Sequence, residues 1–120
     1  MNVANNKDPL VYIGHIFDCI EKIETYIASI TKEQFFASQE KQDSVLYRIE
    51  IIGEAVKRIP FDLRQRYDTV PWKNIAGTWD RIIHDYVAVD LDVMWEIVQV
   101  HIPKLKRQLS EIKKDIKNSR

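Results

Sequence analysis

The chain has 120 residues, 45% of them hydrophobic and 30% charged, with equal numbers of acidic and basic side chains. That length and balance predict one soluble globular domain with enough apolar residues for a core. They exclude a membrane-spanning protein, because no apolar run approaches ~18 residues, and a uniformly basic nucleic-acid binder. The polar N-terminus, Met1-Asn2-Val3-Ala4-Asn5-Asn6-Lys7, lacks the apolar stretch of a secretion signal. Cys19 is the lone cysteine and falls in an apolar stripe. It is expected to pack as a small hydrophobe in a protein of the reducing cytoplasm.

Asp8 followed by Pro9 starts a helix, a capping side chain before proline at the first helical position. Leu10, Ile13, Ile16, Phe17, Ile20, Ile23, Ile27 and Ile30 then recur every three or four residues, predicting a helix over 9–30. Thr31 and Gln34 have capping-box spacing for a short helical segment. Phe35 and Phe36 are expected to fold back onto the core. A third helix is predicted from about Asp43 to Ile59, with Val45, Ile49, Ile52, Val56 and Ile59 buried. Gly53 lies inside it, where glycine costs about 1 kcal/mol against alanine; close approach of another backbone would account for it. Pro60 ends that helix.

Residues 61–73 read as a helical turn and a loop, and a fourth helix follows from about Lys73 to Tyr86. Val87-Ala88-Val89 is a connector. Asp90 caps a final helix reaching about residue 117. Its apolar residues are Leu91, Trp95, Val98, Ile102, Leu105, Leu109, Ile112 and Ile116, in alternating steps of four and three. Pro103 is expected to kink this helix without changing its buried face. The last segment, 103–120, holds seven Lys and Arg against Glu111 and Asp115, leaving +5 there and −5 in the remainder. Such a tail is either a solvated helix end, favoured by the dipole, or a phosphate-attracting rim. The predicted fold is all-α: an up-and-down four-helix bundle with short extra helices.

The sequence has no zinc-ligand spacing and no glycine-rich phosphate loop, so neither a metal nor another cofactor is expected. His15 and His101 read as residues on helix surfaces or packed partly buried. His84 stands in richer company, within Thr78-Trp79-Asp80-Arg81-Ile82-Ile83-His84-Asp85-Tyr86. At 100° per residue, Arg81 lies about 60° from His84 around the helix and one turn earlier. Taken alone, a histidine there is ordinarily structural, or a partner for the helix C-terminus. Paired with an arginine, it suits phosphodiester chemistry: the guanidinium binds phosphoryl charge and the imidazole moves a proton. RNA carries its own nucleophile in the 2′-hydroxyl, so this cleavage needs no metal. It needs a base and an acid, which two copies of His84 in a two-fold dimer would supply.

Four stretches together carry a family resemblance: Ile51-Ile52-Gly53-Glu54-Ala55, Pro71-Trp72-Lys73-Asn74-Ile75-Ala76-Gly77, Arg81-Ile82-Ile83-His84-Asp85-Tyr86 and Val89-Asp90-Leu91-Asp92-Val93-Met94-Trp95-Glu96. In this order and spacing the chain resembles the HepT-like ribonuclease toxins of the HEPN superfamily along nearly its whole length. The resemblance implies a helical homodimer that cleaves RNA without metal, as the toxin of a type VII toxin–antitoxin pair. It also implies a partner, an MntA-like nucleotidyltransferase that neutralises the toxin by transferring AMP to a tyrosine. The family motif is Arg-x4-His-x-Tyr with a polar residue after the arginine. The polar residue matches Asp80, the histidine His84 and the modified tyrosine Tyr86.

The motif arginine falls on Trp79, which carries no charge and cannot grip a phosphate bidentately. Three accounts fit: a detoxified variant, engineered or selected; a natural inactive member; or transfer of the phosphate contact to Arg81. The alternative function is a catalytically silent helical dimer that binds its nucleotidyltransferase, and a further one is a helical scaffold with no nucleic-acid role.

Overall fold

The computed structural model describes the backbone of residues 8–79 and 90–120 and the side chains of 8–77 and 90–120. Every regular element among them is helical: α1 (Pro9–Ile27), α2 (Lys32–Phe36), α3 (Gln39–Arg58), α4 (Phe61–Arg66), α5 (Trp72–Asn74), a π-helical turn π1 (Ile75–Trp79), α6 (Leu91–Glu96), a second π-helical turn π2 (Ile97–His101) and α7 (Ile102–Asn118). The fold is all-α, as the periodicity predicts, and agrees with the HEPN-like fold that the resemblance implies. No helix among the described residues is long and apolar enough to cross a membrane.

The long first helix begins as expected, with the Asp8 carboxylate accepting from Leu10 N at 2.9 Å. It ends three residues earlier than the apolar pattern suggested. Ser29 adopts a left-handed φ of 65°, which breaks the helix before Ile30. Asp8 also receives the guanidinium of Arg120 from the other end of the chain. That contact, with the Leu10 amide, holds the Asp8 carboxyl down at about 2. The capping box of α2 is formed, Thr31 and Gln34 exchanging side-chain-to-backbone bonds of 2.9 and 3.1 Å. Phe35 is fully buried, and its ring centroid lies 5.3 Å from that of Trp95.

The third helix starts at Gln39, a full turn before the expected Asp43, because Ser38 caps it through Lys41 N. The extra turn buries Gln42, whose side-chain amide donates to the carbonyls of Phe35 and Phe36. The Phe35 carbonyl also accepts from Ser38 N at 3.2 Å, so Gln42 adds a side-chain donor to the capped end of α2.

One core joins α1, α3, α7, π1 and the short helices. Its centre is Ile13, Ile16, Ile20, Ile23, Ile49, Ile52, Leu105 and Leu109, all essentially inaccessible to water. Cys19 packs there as a buried free thiol. The C-terminal seam is buried from Val98 to Ile116 as predicted, but its first turns are rephased. Ile102 N bonds back to Ile97 O, and the π-turn just before Pro103 inserts one residue into the register. Met94 and Ile97 therefore point inward, while Leu91 and Trp95 lie half-buried at the margin. The expected distortion at Pro103 is thus taken up upstream, in π2.

Gly53 faces π1. A Cβ at this position would lie 3.6 Å from the Ile75 carbonyl oxygen, ordinary van der Waals contact. The neighbouring backbone is there as expected, but it does not demand glycine. Gly53→Ala should therefore stabilise the fold by about 0.5–1 kcal/mol through helix propensity. A lower thermal midpoint in calorimetry would show that π1 cannot accommodate the methyl group.

Candidate functional site

In the sequence, α5 and π1 lead into the segment richest in chemistry. Trp72 roots it. Its ring is buried, and its indole N–H is shared between the carbonyl oxygens of Arg64 at 3.1 Å and Tyr67 at 3.0 Å. One side chain thereby joins the C-terminal end of α4 to the start of α5. Ile75, fully buried, fixes π1 over α3. Gln108 of α7 donates to the Thr69 carbonyl, and the Tyr67 hydroxyl donates to Asp115. The loop before α5 is thus tied to the C-terminal helix. The Tyr67 phenol is held above its ordinary range by the Asp115 carboxylate.

Trp79 is the last residue of π1. Asp80, Arg81, His84 and Tyr86 lie outside the described residues, as do the remainder of the predicted 73–86 helix and the 87–89 connector. Asp90, on the far side, caps α6 by accepting from Asp92 N and Val93 N. Both flanks of the motif segment are therefore anchored: one by the buried Trp72 and Ile75, the other by the capped α6, whose Met94 enters the core beside Ile97 of π2.

The two other histidines lie at the surface. His15 is exposed on α1, edge-on to Tyr12. His101 is exposed at the end of π2, beside a cavity of about 380 Å³ that it lines with Glu96 and Lys104. Among the described residues no group of three His, Cys, Asp or Glu converges as a metal site. Part of the basic tail is engaged in pairing and packing: Lys106 with Glu24 at 3.0 Å, Arg120 with Asp8, and Lys113 over the Phe17 ring.

Sequence reasoning overlooked Phe61, which is 66% exposed at the start of α4. The signal was present: three and four residues further on are Arg64 and Gln65, so the ring has no apolar partner along its own helix.

A family profile described as "Ribonuclease HepT-like" matches residues 16–112, which includes most of the core and the whole motif segment. This chain belongs to the HepT-like ribonuclease family. It is 37% identical to a "Probable ribonuclease HepT" of Thermococcus cleftensis, over 86% of this chain and 94% of that protein. A "Putative RNase" of Caldanaerobacter subterraneus is also 37% identical, over 88% of this chain and 95% of the relative. A "Gamma-glutamylcyclotransferase and putative RNase" of Methanocaldococcus jannaschii is 44% identical over 92% of this chain. The chain spans half the length of that longer relative. No solved structure is a significant match. The HepT-like match spans the positions of Trp79, Asp80, Arg81, His84 and Tyr86.

Proposed function

We propose that this chain is the toxin of a type VII HepT/MntA pair, an endoribonuclease that works as a homodimer without a metal. The observation that carries this reading is membership of the HepT-like ribonuclease family together with His84 and Tyr86 at their motif positions. In the reaction, the RNA 2′-oxygen attacks the adjacent phosphorus and the 5′-oxygen of the next nucleotide leaves. One His84 accepts the 2′-hydroxyl proton and the His84 of a second copy protonates the leaving oxygen. Arg81 and a motif arginine would stabilise charge on the phosphoryl oxygens. Asp80 is the polar companion of the motif. With Trp79 in place of the arginine, cleavage is weak.

The second reading is a silent helical dimer that binds its nucleotidyltransferase, and Trp79 is the observation that favours it. Growth arrest and RNA cleavage by the Trp79→Arg protein separate the two. A short nucleotidyltransferase reading frame adjacent to this one would support both.

Because one chain supplies one His84 and the reaction needs two proton carriers, the protein should sediment as a dimer at micromolar concentration. A strictly monomeric mass by sedimentation velocity, or a dimer that holds its two 73–86 segments on opposite outer faces, would contradict the shared-histidine mechanism.

A further inference from the structure

Beside the root of the motif segment lies an open groove of about 710 Å³, walled by α4 on one side and by α5 and π1 on the other. Phe61, Arg64 and Gln65 come from α4, and Lys73, Asn74 and Gly77 from the opposite wall. We propose that this groove binds the single-stranded RNA flanking the scissile phosphate, with a base stacked on Phe61 and the backbone held by Arg64 and Lys73. This rests on the ribonuclease reading above and assigns the substrate a path to that site.

Three observations support it. The first is the exposed ring. Phe61 is 66% accessible, and the Arg64 guanidinium lies 5.8 Å from its centroid. An aromatic face beside a guanidinium plane offers two stacking surfaces for an unpaired base, and every base has a π-face to give. The second is the charge and hydrogen-bonding inventory. Arg64 and Lys73 face one carboxylate, Asp68, so the lining favours an anion. The exposed amides of Gln65 and Asn74 present donors and acceptors to base edges. The third is position. Gly77 closes the groove three residues before Asp80, on the same stretch of backbone that continues into the motif. A strand lying in the groove would therefore run toward the motif segment.

The two walls are tied together. The bifurcated Trp72 indole bond joins α4 to α5 behind them. The molecule also holds a control. Tyr47 on α3 is 57% exposed with Arg48 5.0 Å over its ring, the same pairing on another element and not among the groove residues.

The test uses the full chain and a short fluorescein-labelled oligouridylate carrying 2′-O-methyl groups, which cannot be cleaved. Fluorescence anisotropy should show Phe61→Ala binding at least about fivefold more weakly, the effect expected from losing one stacked base. Lys73→Gln should reduce the slope of log affinity against log salt by about 0.7, one phosphate contact to a single strand. Tyr47→Ala should bind as the parent does. Both Phe61 and Lys73 are exposed, so neither change removes core packing.

Unchanged affinity and salt slope in both variants would overturn the groove assignment. The ribonuclease reading would then still stand if Trp79→Arg cleaves RNA. Failure of the parent chain to bind the oligomer would also overturn it. If Phe61→Ala lowers the sedimenting mass and leaves RNA affinity intact, the groove is a protein contact and the assignment is wrong. A Trp79→Arg protein that never cleaves, yet binds RNA through Phe61, would remove the ribonuclease reading and leave the groove as an RNA site.

Discussion

Trp79→Arg should raise the rate of RNA cleavage by about 10²–10³-fold. The size follows from the chemistry of phosphoryl charge. A preorganised donor aimed at developing negative charge is worth roughly 3–4 kcal/mol, and an indole supplies no such charge. Position 79 ends π1, whose backbone is fixed through Ile75 and Trp72. An arginine introduced there would extend from an anchored turn immediately before Asp80. In the Trp79→Arg background, His84→Ala should then lose at least about 10²-fold, the contribution of a positioned proton carrier. Cleavage of a labelled RNA under single-turnover conditions, with chelator present, measures both. Two results would defeat the expectation in different ways. Full activity of the chain as it stands, abolished by Arg81→Ala, would make Arg81 the working cation. No gain from Trp79→Arg would mean that catalysis has been lost at more than one position, and would favour the silent partner-binding dimer.

The fold was legible wherever burial follows a single helical period. The isoleucine stripe of α1, the capping box at Thr31 and the seam from Ile102 onward could all be read directly, because one face of each helix meets the core and nothing interrupts its register. Three features were not. The first turn of α3 has no apolar residue to announce it; it exists because Ser38 caps it and because Gln42 serves the carbonyls of α2, a contact made only in the folded chain. The inward turn of Met94 and Ile97 depends on π2, and an inserted residue changes phase without leaving a mark in a pattern of fours and threes. The early end of α1 depends on the left-handed Ser29, which Ile30 conceals by continuing the stripe. The site divides in the same way. The assignment of His84, Tyr86 and Trp79 rests on local spacing alone, and His84 and Tyr86 lie outside the described residues. The groove was not legible, because it needs α4 brought against π1, and only the Trp72 indole shows that closure.

Incubating the protein with its cognate nucleotidyltransferase, ATP and magnesium should place AMP on Tyr86 and silence the Trp79→Arg enzyme. In that transfer the phenol oxygen attacks the α-phosphorus of ATP, pyrophosphate leaves and the phenolic proton passes to solvent. Tyr86 stands two residues past His84. An adenylate on that oxygen would set a bulky group and a phosphodiester charge next to the residue that must meet the scissile phosphate. RNA would be excluded both by volume and by like-charge repulsion. Peptide mass mapping should find the adduct on the peptide that contains Tyr86, and Tyr86→Phe should leave the enzyme active in the presence of its antitoxin. Tyr67 is the natural comparison. Its hydroxyl is already committed to Asp115, and that carboxylate holds the phenol above its ordinary range. Adducts on Tyr67 with Tyr86 unmodified would therefore contradict the assignment at both residues. The block would then have to act at a distance, because Tyr67 is tied to α7 and its modification would first break that tie.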